Sequence, residues 1–248
     1  MIPTLSVKSN VARLARDLRI EREDLPKRVA SALTWTAIAV RDKLKDEMRR
    51  VFDRPTPFTL RSFYVKSARA NDLTARVWLK EPSLLRPEHY LEPQIFGGAR
   101  PLKPFERRLR AIGVLTPGWY AVPGQAARLD RFGNMNRGQL VQILSQLKAI
   151  GLEGQGYDAQ PTSSARSLRN LKRAGQVFVG RPGNRRLPPG VYKRTPGGVQ
   201  PLLIFVKGVR YQERLDFFGV SERIARREFP LQLAKAAAQA AARKSLNQ

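Results

Sequence analysis

From Ala159 to Gln212 the chain runs for 54 residues without an acidic side chain while carrying eleven Lys or Arg. Like charges at that density repel one another, so the segment cannot collapse on itself. It must spread over a surface or meet a counter-charge supplied from elsewhere. The whole chain shares the bias, with 46 Lys and Arg against 20 Asp and Glu and a formal net charge of +26. That exceeds what solubility asks of a protein and implies a polyanionic partner. Arginine outnumbers lysine 33 to 13, which suits phosphate because the planar guanidinium binds two oxygens at once.

With 248 residues, 42% of them hydrophobic, the chain can bury one sizeable core or two modest ones. It has no cysteine, which excludes disulfides, thiolate metal sites and a cysteine nucleophile, and fits a reducing cytoplasm. No apolar run approaches the roughly 20 residues that span a bilayer, and Met1-Ile-Pro-Thr does not open a signal peptide.

Asp24-Leu25-Pro26 is a helix start, since the carboxylate caps free amides and proline tolerates the first turn. Val29, Leu33, Val40, Leu44, Met48 and Val51 then recur at helical spacing, until Pro55 and Pro57 stop the helix. Val29, Leu33, Val40 and Leu44 are the core positions expected from this face. Val11 to Leu18 is a shorter amphipathic candidate. Phe63 to Ala70 and Thr74 to Lys80 alternate as a β-hairpin around Ala70-Asn71-Asp72, expected to pack on the long helix. Three proline- and glycine-punctuated stretches follow, with a helix from Pro104, a strand over Trp119 to Val122 and a helix capped by Asn136 and stopped at Gly151. Gly151 to Gly175 reads as a long loop or arm. Gln176 to Gly180, Val191 to Arg194 and Leu202 to Lys207 form a small basic antiparallel sheet, and a last helix begins at Ser221, kinked or split by Pro230.

His89 is the sole histidine, so neither a zinc site nor a Ser/His/Asp triad has enough partners, and no Gly-x-Ser-x-Gly turn presents a nucleophile. No cofactor or metal site is expected. Asp42, Asp46 and Glu47 form the densest acidic cluster. A Mg²⁺ nuclease could use Asp42 and Asp46, although Arg41, Lys45, Arg49 and Arg50 make the same helix face a solvated charge mosaic. The glycine pairs lack phosphate-loop spacing and read as turns.

The one-signed stretch Arg166, Arg169, Lys172, Arg173, Arg181, Arg185, Arg186, Lys193 and Arg194 is the candidate contact site for DNA or for an acidic protein partner. No recognition helix or zinc module accompanies it, so contact with phosphates is expected to be non-specific.

The order of elements carries a resemblance. The long helix ends in Arg54-Pro55-Thr56-Pro57-Phe58-Thr59. A hairpin follows, then Tyr90-Leu91-x-Pro93-x-Ile95-x-Gly97-Gly98 leading into Lys103-Pro104-Phe105-Glu106 and Leu109. Near the end come Pro201-Leu-Leu-Ile-Phe-Val-Lys207 and Arg223-Ile-Ala-Arg-Arg-Glu-Phe-Pro230, then an alanine-rich basic helix. This pattern resembles prophage minor tail proteins of the lambda-type protein Z family over most of the chain. The resemblance implies a non-enzymatic virion structural protein, assembled in the bacterial host cytoplasm, that completes or terminates the tail at the head–tail neck. It further implies a ring, often of six subunits, around the DNA channel, with the tail tube and head–tail connector as neighbours. A non-specific DNA-binding protein is the alternative.

The fold expected is α+β, with long amphipathic helices packed on antiparallel hairpins and sheet and an extended basic loop or arm. Its parts are a helix-plus-hairpin core over 1–150, the arm over 151–175, and a basic sheet with the C-terminal helix over 176–248 completing the same domain.

Overall fold

Helix α1 (Leu25–Val51) has the apolar face its sequence demands, burying Val29, Leu33, Val40, Leu44 and Met48. Each such side chain is worth about 1.5–3 kcal/mol of removal from water. The computed structural model describes residues 5–6, 25–79, 88–147, 176–180 and 187–246. The cap expected from Asp24, the helix over Val11 to Leu18 and the arm over Gly151 to Gly175 lie outside the described residues. The chain turns sharply after α1 at Arg54, whose φ is 46°. Thr56 then caps the short helix α2 (Pro57–Leu60), its hydroxyl accepting the Thr59 amide at 3.0 Å.

The fold is α+β, as expected, and it divides into two units, one made of residues 1–97 and 212–248 and the other of residues 98–211. In the first unit, β2 (Phe63–Lys66) and β3 (Arg76–Leu79) form the expected hairpin, and β1 (Leu5–Ser6) pairs with the other edge of β3. Period-2 alternation turns Phe63, Val77 and Leu79 toward the helices and leaves Tyr64 and Lys66 exposed. Helix α3 (Glu88–Phe96) and the long α6 (Phe217–Leu246) complete this unit. Val29, Leu44, Leu79, Leu91, Phe217 and Leu233 belong to one continuous core.

Two expectations for α6 are corrected. It begins at Phe217 rather than Ser221, because Asp216 caps it by accepting the Gly219 amide at 2.8 Å. Of the kink or split expected at Pro230, the split does not occur, since Pro230 lies inside a single helical element. Phe229 and Leu233 on either side are buried in the core, which holds the helix together across the missing amide.

The second unit is an insertion between α3 and α6. Its two ends are tied by β4 (Gly98–Ala99) and β9 (Arg210–Tyr211), which pair antiparallel. Between them lie α4 (Pro104–Ala111), β5 (Trp119–Pro123), α5 (Arg137–Gln146), β6 (Val177–Gly180), β7 (Gly190–Thr195) and β8 (Gly198–Lys207). The sheet order is β5-β8-β7-β6, antiparallel throughout. Asn136 caps α5 as its sequence foretells, accepting the Gln139 amide at 3.2 Å. Phe105 and Leu109 of α4 and Ile143 and Leu144 of α5 pack with Ala121, Val191, Leu203 and Phe205 of the sheet. The division therefore differs from the one expected at 150 and 175. Strand β5 takes the neighbouring place to β8, so residues before and after the expected arm share one sheet.

A bulge adjusts that sheet. Val191 faces Leu203 while Tyr192 faces Pro201, leaving Leu202 as the extra residue. Pro201 has no amide to give, yet its carbonyl accepts the Ala126 amide at 2.9 Å, and Leu202 accepts that of Gly124 at 2.9 Å.

Candidate polyanion-contact surface

Charge is distributed unevenly between the units. The second holds 20 Lys and Arg against 4 Asp and Glu, and the first holds 26 against 16. Strands β5, β6, β7 and β8 contain no acidic residue at all. Among the described residues of the second unit the acids are Glu106, which is buried, and Asp130, which is exposed in a turn.

Glu106 is fully buried. Arg100 Nη1 and Nη2 donate to its two carboxylate oxygens at 2.7 Å each, and the amides of Lys103 and Ala121 donate at 2.6 and 2.9 Å. Burial alone would push its carboxyl up, but Arg100 and the two amides outweigh burial and hold it below the ordinary glutamate range. Asp130 accepts the amides of Phe132 and Asn134 at 2.8 and 2.9 Å, closing a turn. These bonds, that of Asn134 first, lower its carboxyl too. Glu106 is thus spent on Arg100, and Asp130 keeps its exposed charge in a turn outside the strands of the sheet.

Of the nine candidate contact residues, Lys193 and Arg194 are described. Arg166, Arg169, Lys172, Arg173, Arg181, Arg185 and Arg186 lie outside the described residues. The neighbours Lys193 and Arg194 are separated by the pleat of β7. Lys193 lines a small crevice on the helix side of the sheet with Arg128, Gln142, Gln146 and Val177. Two of the side-chain amides there are already used, since Gln146 accepts the Val177 amide at 2.8 Å and Gln139 accepts that of Arg128 at 2.7 Å. Arg194 takes the opposite face, is exposed, and places its guanidinium 5.4 Å from the centre of the Phe178 ring. Phe178 in turn stacks on Tyr192 at 5.8 Å.

The same outward face continues through Ile204 and Val206 of β8 to Tyr120 and Val122 of β5, all half-buried. At its far edge Arg100 stands over the Tyr120 ring at 4.9 Å. On the opposite side, that of Leu203 and Phe205, sequence reading missed the exposed Lys207, whose ammonium lies 5.3 Å from the centre of the Trp119 ring. The alternation of β8 was the signal that could have placed it. The charge of Arg100 is spent on Glu106, so the exposed Arg194 stacked on Phe178, beside an apolar centre on strands without a carboxylate, is what favours contact with phosphates or with an acidic protein face here.

The acidic cluster is occupied by its own neighbours. Arg41 binds Asp42 at 2.8 Å, Arg49 and Lys43 bind Asp46 at 3.0 and 3.4 Å, and Arg50 binds Glu47. Among the described residues no group of three or more His, Cys, Asp or Glu is placed to hold a metal ion, and no helix is long and apolar enough to cross a membrane. No family model, curated protein or solved structure matches this chain.

Proposed function

We propose that the chain is a non-enzymatic structural protein of a phage virion, a tail completion or terminator subunit at the head–tail neck. In this reading it forms a ring, hexameric by preference, at the head-proximal end of the tail tube, with the connector on one side and genomic DNA passing through. The observation that carries the reading is the concentration of positive charge in an inserted α+β unit whose four-stranded sheet has no acidic residue. A subunit surrounding DNA profits from such a unit, while the other unit keeps its carboxylates in local ion pairs. The resemblance of element order to minor tail proteins points the same way. The test is to tag the chain and locate it in purified particles by electron microscopy. Density at the neck is the expected result. Particles that lack the chain while the cells express it would overturn the reading.

The outward face around Arg194 favours a second reading, a non-specific DNA-binding protein acting without a virion. Binding of duplex DNA by the isolated chain, steeply weakened by salt, together with its absence from particles, would select that reading.

A further inference from the structure

Among the exposed rings described in the first unit, which include Phe58 and Tyr64, Trp35 and the pair Phe96 and Phe218 lie near opposite ends of strand β2. At one end the Ala68 amide donates to the Thr34 hydroxyl at 3.1 Å, seating the hairpin beside the first half of α1. An open groove of about 500 Å³ lies there, lined by Trp35, Ile38, Ala68 and Ala70 with Lys27 and Arg69. Trp35 is 56% exposed, and no acidic residue lines the groove. A tryptophan left in water beside an apolar groove is a marker of a contact surface.

At the other end Phe63 meets Phe217 at 5.6 Å. Next to it Phe218, 43% exposed, lies 5.9 Å from Phe96, 40% exposed. Glu92, one helical turn before Phe96 on α3, and Glu213 and Asp216, just before α6, surround this ring pair in sequence. Arg214 and Arg223 lie beside them, and Arg223 pairs with Asp216 at 3.7 Å. Five residues of extended chain separate Phe63 from Ala68, about 17 Å.

An apolar groove with a cationic rim and a ring pair flanked in sequence by carboxylates match in polarity and in sign of charge. They cannot meet within one molecule. We infer that the Phe96 and Phe218 rings of one copy seat in the Trp35 groove of the next, a head-to-tail contact that propagates and closes into a ring when the rotation allows. This rests on the ring-forming reading above and names the surfaces that would build it. A strand of nucleic acid is the poorer occupant, because one ring among alanines gives no stacking series.

The absence of cysteine makes the contact directly testable. Ala70→Cys and Phe218→Cys placed together in the full chain should yield a ladder of disulfide-linked multimers on oxidation. The two single variants mixed should stop at dimers, and each alone should remain unlinked. Linked dimers from either single variant alone indicate a symmetric contact and overturn the inference. In parallel, Trp35→Ala should weaken self-association measured by sedimentation about thirtyfold. Lys27→Glu with Arg69→Glu should weaken it as well, and Glu213→Arg should restore part of that loss. Lys27, Trp35, Arg69 and Ala70 line the groove, whereas Phe218 and Glu213 belong to the ring-pair end, and unchanged far-ultraviolet circular dichroism checks the fold. Unaltered association of Trp35→Ala overturns the inference. A chain found at the neck but unlinked in every variant overturns this contact alone, whereas absence from particles removes the virion reading itself.

Discussion

Arg100 and Glu106 form a two-pronged ion pair, with both bonds at 2.7 Å, that fastens the segment after β4 to the first turn of α4. The carboxylate also receives the Ala121 amide, so one side chain joins the entry of the second unit, a helix and an edge strand. Removing one partner of such a pair strands the other charge. Glu106→Gln should therefore cost about 3 kcal/mol in urea unfolding. Adding Arg100→Met should recover part of it, because no buried cation is then left unpaired. A double variant less stable than the single one would show that the pair is not the source of the loss.

The same carboxylate sets a pH dependence. Its pKa in the folded protein is depressed, so its contribution is present above the unfolded glutamate value of about 4.3 and is lost as pH falls through the folded value. Asp130, depressed by backbone amides, acts in the same direction. Stability measured in urea should fall as pH drops below about 4.3, and Glu106→Gln should flatten that decline. Equal slopes for the two proteins would remove Glu106 from the account.

Gly190 is a second fixed point of the same sheet. A Cβ there would run into the backbone carbonyl of Leu203, which a rigid strand cannot yield, whereas at Gly197 a Cβ meets open space. Gly190→Ala should cost about 1–3 kcal/mol, and Gly197→Ala, in the β7–β8 turn, should fall within about 0.5 kcal/mol of the parent. Thermal unfolding of the two variants side by side checks the contrast.

Much of this architecture was legible locally. The spacing of Val29, Leu33, Val40 and Leu44 fixes a helix and its buried face, and Asn136 declares the start of α5. What escaped was pairing across long stretches of chain. Nothing near Trp119 to Pro123 announces that β8, far along the sequence, will be its neighbour. Without that pair the insertion at Gly98 and its return at Tyr211 are invisible, because β4 and β9 contribute two residues each. The basic site was legible as a run of charge, but a run has no faces. Only the pleat of β7 sends Lys193 and Arg194 to opposite sides. Arg100 and Glu106 left no signal, since a buried ion pair and a solvated one look alike in sequence.

Pro230 gives a prediction in the stabilising direction. It lies inside α6, exposed, between the buried Phe229 and Leu233. Core packing there outweighs the loss of a helical hydrogen bond, a penalty that stays in the folded protein. Pro230→Ala should raise stability by about 1–3 kcal/mol, with a matching rise in the urea midpoint. A fall would show that the proline bends α6 into a shape the core requires.

The pleat of β7 also makes Lys193 and Arg194 distinguishable by experiment. Arg194 is exposed on the outward face beside Phe178, while Lys193 is half-buried in the crevice against α5. If the outward face meets phosphates, each lost contact should reduce the slope of log affinity against log salt by about 0.9. Arg194→Ala should show that reduction with duplex DNA and Lys193→Ala should not. Because the two residues adjoin in sequence and carry the same charge, net charge cannot produce the difference. Equal effects from both would mean that DNA responds to the overall charge of the second unit rather than to this face of its sheet, and the contact surface would have to be sought elsewhere on the chain.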